Sequence, residues 1–193
     1  MRKQPKQMRS RATIEAMLQA AAHILGERGW DGLTTNHVAQ LAGVSIGSLY
    51  QYFPHKLALV EAVRQRHLGE VLDVLHAASD TSLPRARRIE ALVDGMVGIH
   101  SRFPAAHRVL LEEIPRGRHG RLTHDRFASI LHERYAAIVR AESRAAAGER
   151  VNIAARVLAA AIAGVVHDAA NQGTLQSRTL RSELTRLVDA YLR

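Results

Sequence analysis

LTTNHVAQLAGVSIGSLYQYFPHK, residues 33–56, decides how this chain is read. It resolves into two short helices joined by a tight turn. Thr34 can cap the first, because its hydroxyl accepts a hydrogen bond from an amide that the first helical turn leaves without a partner. Val38, Ala39, Leu41 and Ala42 supply the buried side of that helix. Gly43 follows directly, and glycine takes positive φ past a helix end at no steric cost. Ser45 caps the second helix, with Val44 before it and Leu49 within it spaced as a hydrophobic staple. Leu49 and Phe53, four apart, point inward together, which leaves Ile46, Gly47, Ser48, Tyr50, Gln51 and Tyr52 facing mainly outward. A helix, a glycine turn and a second helix with an outer face suited to base edges and phosphates describe a helix-turn-helix DNA reader. The competing description is an ordinary helical corner with its aromatics in the core. Caps, staple, turn glycine and polar outer face agree against it.

GVSIGSLYQYFPHK, with GWDGLTTNHVAQLAG upstream, closely resembles the DNA-binding signature of the tetracycline-repressor-like (TetR) family of bacterial transcription regulators. The resemblance is specific over roughly the first 70 residues and looser beyond. It implies that Thr35, Tyr50, Tyr52 and Lys56 hold phosphates and that Asn36, Ile46, Ser48 and Gln51 face base edges. Gly47 would admit the backbone close to DNA, and Ser45 completes the contact set at the helix start. The chemistry agrees, since glutamine or asparagine can pair bidentately with adenine and Ile46 can contact a thymine methyl. Many family members carry a basic residue where Ile46 stands.

The 193 residues are 47 % hydrophobic and 23 % charged, ordinary globular material long enough for one large domain or two small ones. No apolar run approaches the ~20 residues of a membrane span. The basic N-terminus leads into an amphipathic segment containing Glu15 rather than the apolar stretch of a signal peptide. The expectation is a cytoplasmic protein with no membrane partner. Cysteine is absent, which removes disulfides, thiolate metal sites and a cysteine nucleophile. The formal charge is +9, and it is denser at the start, where residues 1–56 carry seven Lys or Arg against three Asp or Glu. Such a distribution suits a nucleic-acid binder.

Residues 1–9 read as a flexible basic arm, either a phosphate or minor-groove contact or a solubilising tail. Ile14, Met17, Leu18, Ala21, Ala22 and Leu25 recur at helical spacing in a first long helix that Gly29 ends, with Trp30 and Leu33 packing beneath the reading motif. Pro54 suits the first turn of a long helix running through Leu75. There Lys56 opposes the helix dipole, a conflict that a bound phosphate would remove; a solvated lysine is the plainer reading. Further helices follow from Ile89 to Phe103, from Pro104, and from Phe127 to the stop at Gly148, with a glycine- and arginine-rich connection over 114–121. The last two, 151–171 and 177–193, carry apolar stripes that either complete a monomer core or form a four-helix bundle with a second copy. The family resemblance favours the homodimer.

Eleven histidines raise the question of a metal. His100 and His107 are separated by Pro104, His119 and His124 flank a loop, and none shows HExxH spacing or paired carboxylate ligands; neither a GxSxG elbow nor a nucleotide loop is present. No catalytic residue, metal or cofactor is expected. The expected architecture is all-α with about nine helices. A reading domain over 10–56 contains the motif at 34–53, and a ligand-binding and dimerisation domain covers 57–193. The function expected is a homodimeric regulator, a repressor in proteins it resembles, that binds a palindromic DNA operator and answers a small-molecule effector. Met96, His100, Phe103, Tyr135 and His167 are its candidate pocket residues. A ligand-independent regulator or activator, or a helical enzyme or carrier without DNA binding, are the alternatives.

Overall fold

A computed structural model describes residues 8–102, 118–142 and 148–193. Among them are eight helices and no strand: α1 Met8–Gly32, α2 Thr35–Leu41, α3 Ile46–Tyr52, α4 Lys56–Ala78, α5 Arg85–Arg102, α6 Arg118–Glu142, α7 Glu149–Asn171 and α8 Arg178–Tyr191. The fold is all-α, as expected. The expected ninth helix after Pro104, and the arm up to residue 7, lie outside the described residues. Two compact units divide inside α4, the first running to His67 and the second starting at Leu68.

In the first unit α1 buries Ile14, Met17, Leu18, Ala21, Ala22 and Leu25, the stripe its spacing predicts. Gly29 at φ 65° breaks the helical path near its end. The stripe joins Leu33, Val38, Leu49, Phe53, Leu59 and Val60 in one core, and Glu15 of α1 pairs with Arg66 of α4 at 2.6 Å. Two expectations need correction. Leu41 is 53 % exposed, because Val38, Ala39 and Ala42 fill the seam and a residue two beyond Ala39 points to the other side of a helix. Pro54 does not open α4. Phe53 before it is extended (φ −124°, ψ 102°), as a residue preceding proline prefers, and His55 caps the helix instead. The His55 Nδ1 accepts from the Ala58 amide at 3.1 Å, and its carbonyl accepts from the Leu59 amide at 3.3 Å.

In the second unit Leu75, Leu92, Val93, Val97, Leu158, Ile162, Leu184 and Val188 form the centre of the core. Helix α5 packs on α7 and α8, and α6 packs on α7. At one crossing a Cβ on Gly95 of α5 would stand 2.5 Å from Cγ2 of Val74 on α4, so these backbones approach as closely as they do because residue 95 has no side chain. Arg85 and Arg88 of α5 both pair with Glu142 of α6, and Arg85 also reaches Asp189 of α8 at 3.2 Å. Arg88 is 8 % exposed, and a cation so buried needs such a partner. His100 is buried as well. Its Nδ1 lies 2.7 Å from the Met96 carbonyl, and its ring centroid is 5.3 Å from that of His167.

One further boundary differs from expectation: Arg118, inside the expected connection, is already in α6. The expected end of that helix before Gly148 lies outside the described residues, and Gly148 directly precedes α7. Helix α7 is long and apolar enough to cross a membrane by length and composition, with mean hydropathy 1.6 over its best window; its many alanines raise that value without forming a bulky apolar run. Burial of Val151, Ala155, Leu158, Ile162, Val166 and Ala169 along one helical stripe marks it as a core helix.

Gly95→Ala should cost ~1–3 kcal/mol by overpacking against the stiff Val74 side chain, measured as a lower urea midpoint with unchanged slope. Burial, followed by repulsion from His167, holds the His100 pKa below its ordinary 6.5 against the opposing pull of the Met96 carbonyl. The folded protein therefore favours the neutral ring. That contribution is complete above 6.5 and is lost as pH falls through the lower folded value. Thermal midpoints taken across this range should fall more steeply for the wild type than for His100→Gln.

Candidate nucleic-acid interface

Three local devices hold the reading motif. The Thr34 hydroxyl accepts from the His37 amide at 3.1 Å. Helix α2 ends with Gly43 at φ 67°, the Gly43 amide bonded to the Gln40 carbonyl and the Val44 amide to the Ala39 carbonyl at 2.9 Å, which is a Schellman turn. Ser45 then caps α3, accepting from the Ser48 amide at 3.1 Å, while the Ser45 and Ser48 hydroxyls lie 2.9 Å apart. Each expected cap is present. The chain is thus turned through the corner with its backbone groups satisfied.

Leu49 and Phe53 are fully buried, and this fixes which face of α3 is offered outward. Asn36, Ser45, Ile46, Gly47, Tyr50 and Gln51 are exposed, and Thr35 and Ser48 are half-buried. Ile46 and Tyr50 are large apolar side chains left 37 % and 44 % exposed. Thr35 Oγ1 and the Tyr50 hydroxyl lie 3.1 Å apart, linking the start of α2 to the outer face of α3. A Cβ on Gly47 would meet only the Ser45 hydroxyl, at 3.9 Å, so nothing within the chain requires glycine there.

Tyr52 is a correction. It is 9 % exposed and part of the core rather than outward, because it follows Leu49 at i+3 and Phe53 at i+4 completes the same inward face. Lys56 is also drawn in. Its Nζ donates to the Trp30 carbonyl at 3.0 Å and the Leu33 carbonyl at 3.3 Å, and it stands 3.9 Å from the centroid of the Trp30 ring. Sequence reasoning missed this clasp and the His55 cap. A signal existed for the clasp: α1 has no basic residue in its last turn, where a cation is favoured, while Lys56 sits in the first turn of α4, where one is disfavoured.

In the second unit Met96, His100 and Tyr135 are buried and His167 is half-buried. Burial pushes the Tyr135 phenol up in pKa, so it stays neutral. Phe103 lies outside the described residues. A cavity of about 950 Å³ elsewhere in this unit is lined by residues including Val139, Glu142, Arg150, Ile153 and Tyr191. None of the expected pocket residues is among its described lining. Among the described residues no three His, Asp or Glu are grouped to hold a metal ion.

Residues 17–63 match the family model of the bacterial regulatory proteins of the tetR family, and residues 82–192 match that of the tetracycline repressor-like C-terminal domain. The transcriptional activator FasR of Mycolicibacterium smegmatis is 30 % identical over 96 residues, 50 % of this chain and 44 % of that protein. The tetracycline repressor protein class D of Escherichia coli is 35 % identical over 77 residues, 40 % of this chain and 32 % of that protein. The matches thus span less than half of these relatives' own lengths. The fold is also that of a TetR-like transcriptional regulator from Rhodococcus sp. RHA1, with TM-score 0.66, 18 % identity and 96 % of each chain covered. With a reading motif capped and buried as described and both family models matched, the second over more than half of the chain, the chain belongs to the TetR family of DNA-binding transcriptional regulators, a family of regulators and not of enzymes.

Proposed function

We propose that the protein is a cytoplasmic, homodimeric repressor that binds a palindromic operator and releases it when a small molecule binds the second unit. The observation that carries this reading is the outward face of α3, where Ile46, Gly47, Tyr50 and Gln51 are exposed while Leu49 and Phe53 are locked in the core. Gln51, Asn36, Ser48 and Ile46 read base edges, and Thr35 and Tyr50, already joined by their hydroxyls, hold phosphates. Two copies of α3 would enter successive major grooves about 34 Å apart.

The dimer surface is the uncovered side of α7 and α8. Ile153 and Val157 of α7 and Leu187 and Tyr191 of α8 are 53, 46, 42 and 41 % exposed, an apolar set that a second copy would bury in a four-helix arrangement. The effector would sit among the core residues of the second unit around Met96, His100, Tyr135 and His167, with Phe103 a further candidate. It acts by favouring a spacing of the two reading heads that does not fit the operator, to the extent of its differential affinity for the two states. The relative FasR is named an activator, which supports a second reading in which the same interface recruits transcription instead of blocking it. Reporter output from a promoter carrying the selected operator separates the two.

Selection from random duplexes followed by footprinting tests the function itself. Two inverted half-sites one helical turn apart are expected, and a single unpaired site would remove the dimeric reading. Gln51→Ala should cost ~1–3 kcal/mol at one base position of each half-site and leave binding to random duplex unchanged. Gly47→Ala separates fold from interface. Thermal stability should hold or rise, since alanine is the better helix former by about 1 kcal/mol, while operator affinity falls because the added methyl stands between backbone and DNA.

A further inference from the structure

The stretch that begins at Leu33 and ends at Lys56 is closed on itself by one side chain. The ammonium of its last residue donates to the carbonyl of its first, at 3.3 Å, and to the carbonyl of Trp30 at 3.0 Å. The same ammonium stands over the Trp30 ring at 3.9 Å from its centroid. A lysine has three N–H donors. Two are committed here, and the indole face takes up part of the charge. The Trp30 carbonyl belongs to the last turn of α1, past the break at Gly29, and also accepts from the Leu33 amide at 3.4 Å; the Leu33 carbonyl lies just beyond the helix end, and both stand where the dipole favours a cation. Lys56 therefore supplies from 23 residues away the C-terminal cation that α1 lacks.

We infer that Lys56 is a positioning residue of the DNA interface, a clasp that fixes the entry of α2 and the exit of α3 at one point, and that it keeps its carbonyl partners when DNA is bound instead of leaving them for a phosphate. The base-reading and phosphate residues of α2 and α3 proposed above lie between the clasped ends. Thr35 starts two residues after Leu33, and Gln51 lies five residues before Lys56. Opening the clasp frees both ends of the motif, so it disturbs base reading and phosphate contacts together, whereas losing a phosphate ligand removes one charge contact and leaves the reading geometry alone. This inference rests on the DNA-binding reading above.

The test compares wild type, Lys56→Gln and Lys56→Arg on the duplex that the wild type selects from a random library and on an unselected duplex, across a series of salt concentrations. Because the chain holds one tryptophan, Trp30 emission reports the clasp directly. Lys56→Gln is expected to shift Trp30 emission in the DNA-free protein, to weaken selected-duplex binding about tenfold or more, as losing charge-assisted hydrogen bonds does, and to leave the salt slope unchanged. Lys56→Arg, which can donate to the same carbonyls and stack on the same ring, is expected to recover most of that loss. Wild-type Trp30 emission should not change when DNA is added. A slope reduced by about 0.9, the signature of one lost phosphate contact, with selected and unselected duplexes weakened equally, would overturn the clasp. So would a wild-type emission change on DNA binding that Lys56→Gln lacks. A wild type that selects no duplex would instead remove the DNA-binding reading, and with it the positioning role. Should Lys56→Gln fail to fold, the wild type decides alone: Trp30 emission unchanged on saturation with the selected duplex keeps the clasp, and a shifted emission, reporting an ammonium drawn off the ring, overturns it.

Discussion

The reading surface depends on the burial of Leu49 and Phe53 beneath a helix of seven residues. A helix that short has no stability of its own in water. What holds α3 is its inner face in the core with Met17, Leu33 and Val38, together with a serine cap in front and a glycine turn behind α2. The outward residues are free to be chosen for DNA because none of them is needed for packing. Tyr52, at the i+3 position, is recruited to that inner face instead.

Most of the motif was legible because its signals are local. Thr34, Gly43 and Ser45 act through their own backbone neighbours, so residue type and spacing predict them, and each forms the expected bond. The errors came where a partner is distant in sequence or two signals compete. Leu41 is apolar, but the seam was already filled by smaller residues. Pro54 carried a helix-start signal, yet the buried extended Phe53 before it needed two more residues to turn the chain, and an imidazole took the capping role. Lys56 read as a misplaced cation on α4 because the helix it serves is α1. Its partner carbonyls are backbone atoms, which no sequence pattern marks.

The second unit was less legible for a related reason. Its helices show apolar spacing, but spacing alone does not say which stripe meets which neighbour. Helix α7 carries both a buried stripe, from Val151 to Ala169, and an uncovered pair, Ile153 and Val157, and in sequence the two merge into one apolar run. The ionic knot of Arg85, Arg88, Glu142 and Asp189 joins residues more than fifty positions apart in the chain, so charge counting could find its members but not their meeting point. The knot, buried at Arg88 and Glu142 and partly open to solvent at Arg85 and Asp189, fixes which ends of α5, α6 and α8 lie together. A buried ion pair contributes little net stability, and its use is in specifying one arrangement over others.

The crossing of Gly95 and Val74 has a consequence for how this chain can change over generations. Every amino acid other than glycine carries a Cβ, and at residue 95 that atom would fall inside the Val74 side chain. Any other residue at position 95 therefore carries a stability cost while residue 74 is valine, whereas residue 74 can shrink at the cost of a small void. Substitutions at the pair therefore have a preferred order: a smaller residue at 74 first removes most of the cost of a side chain at 95, and once a larger residue is fixed at 95 a return to valine at 74 brings that cost back.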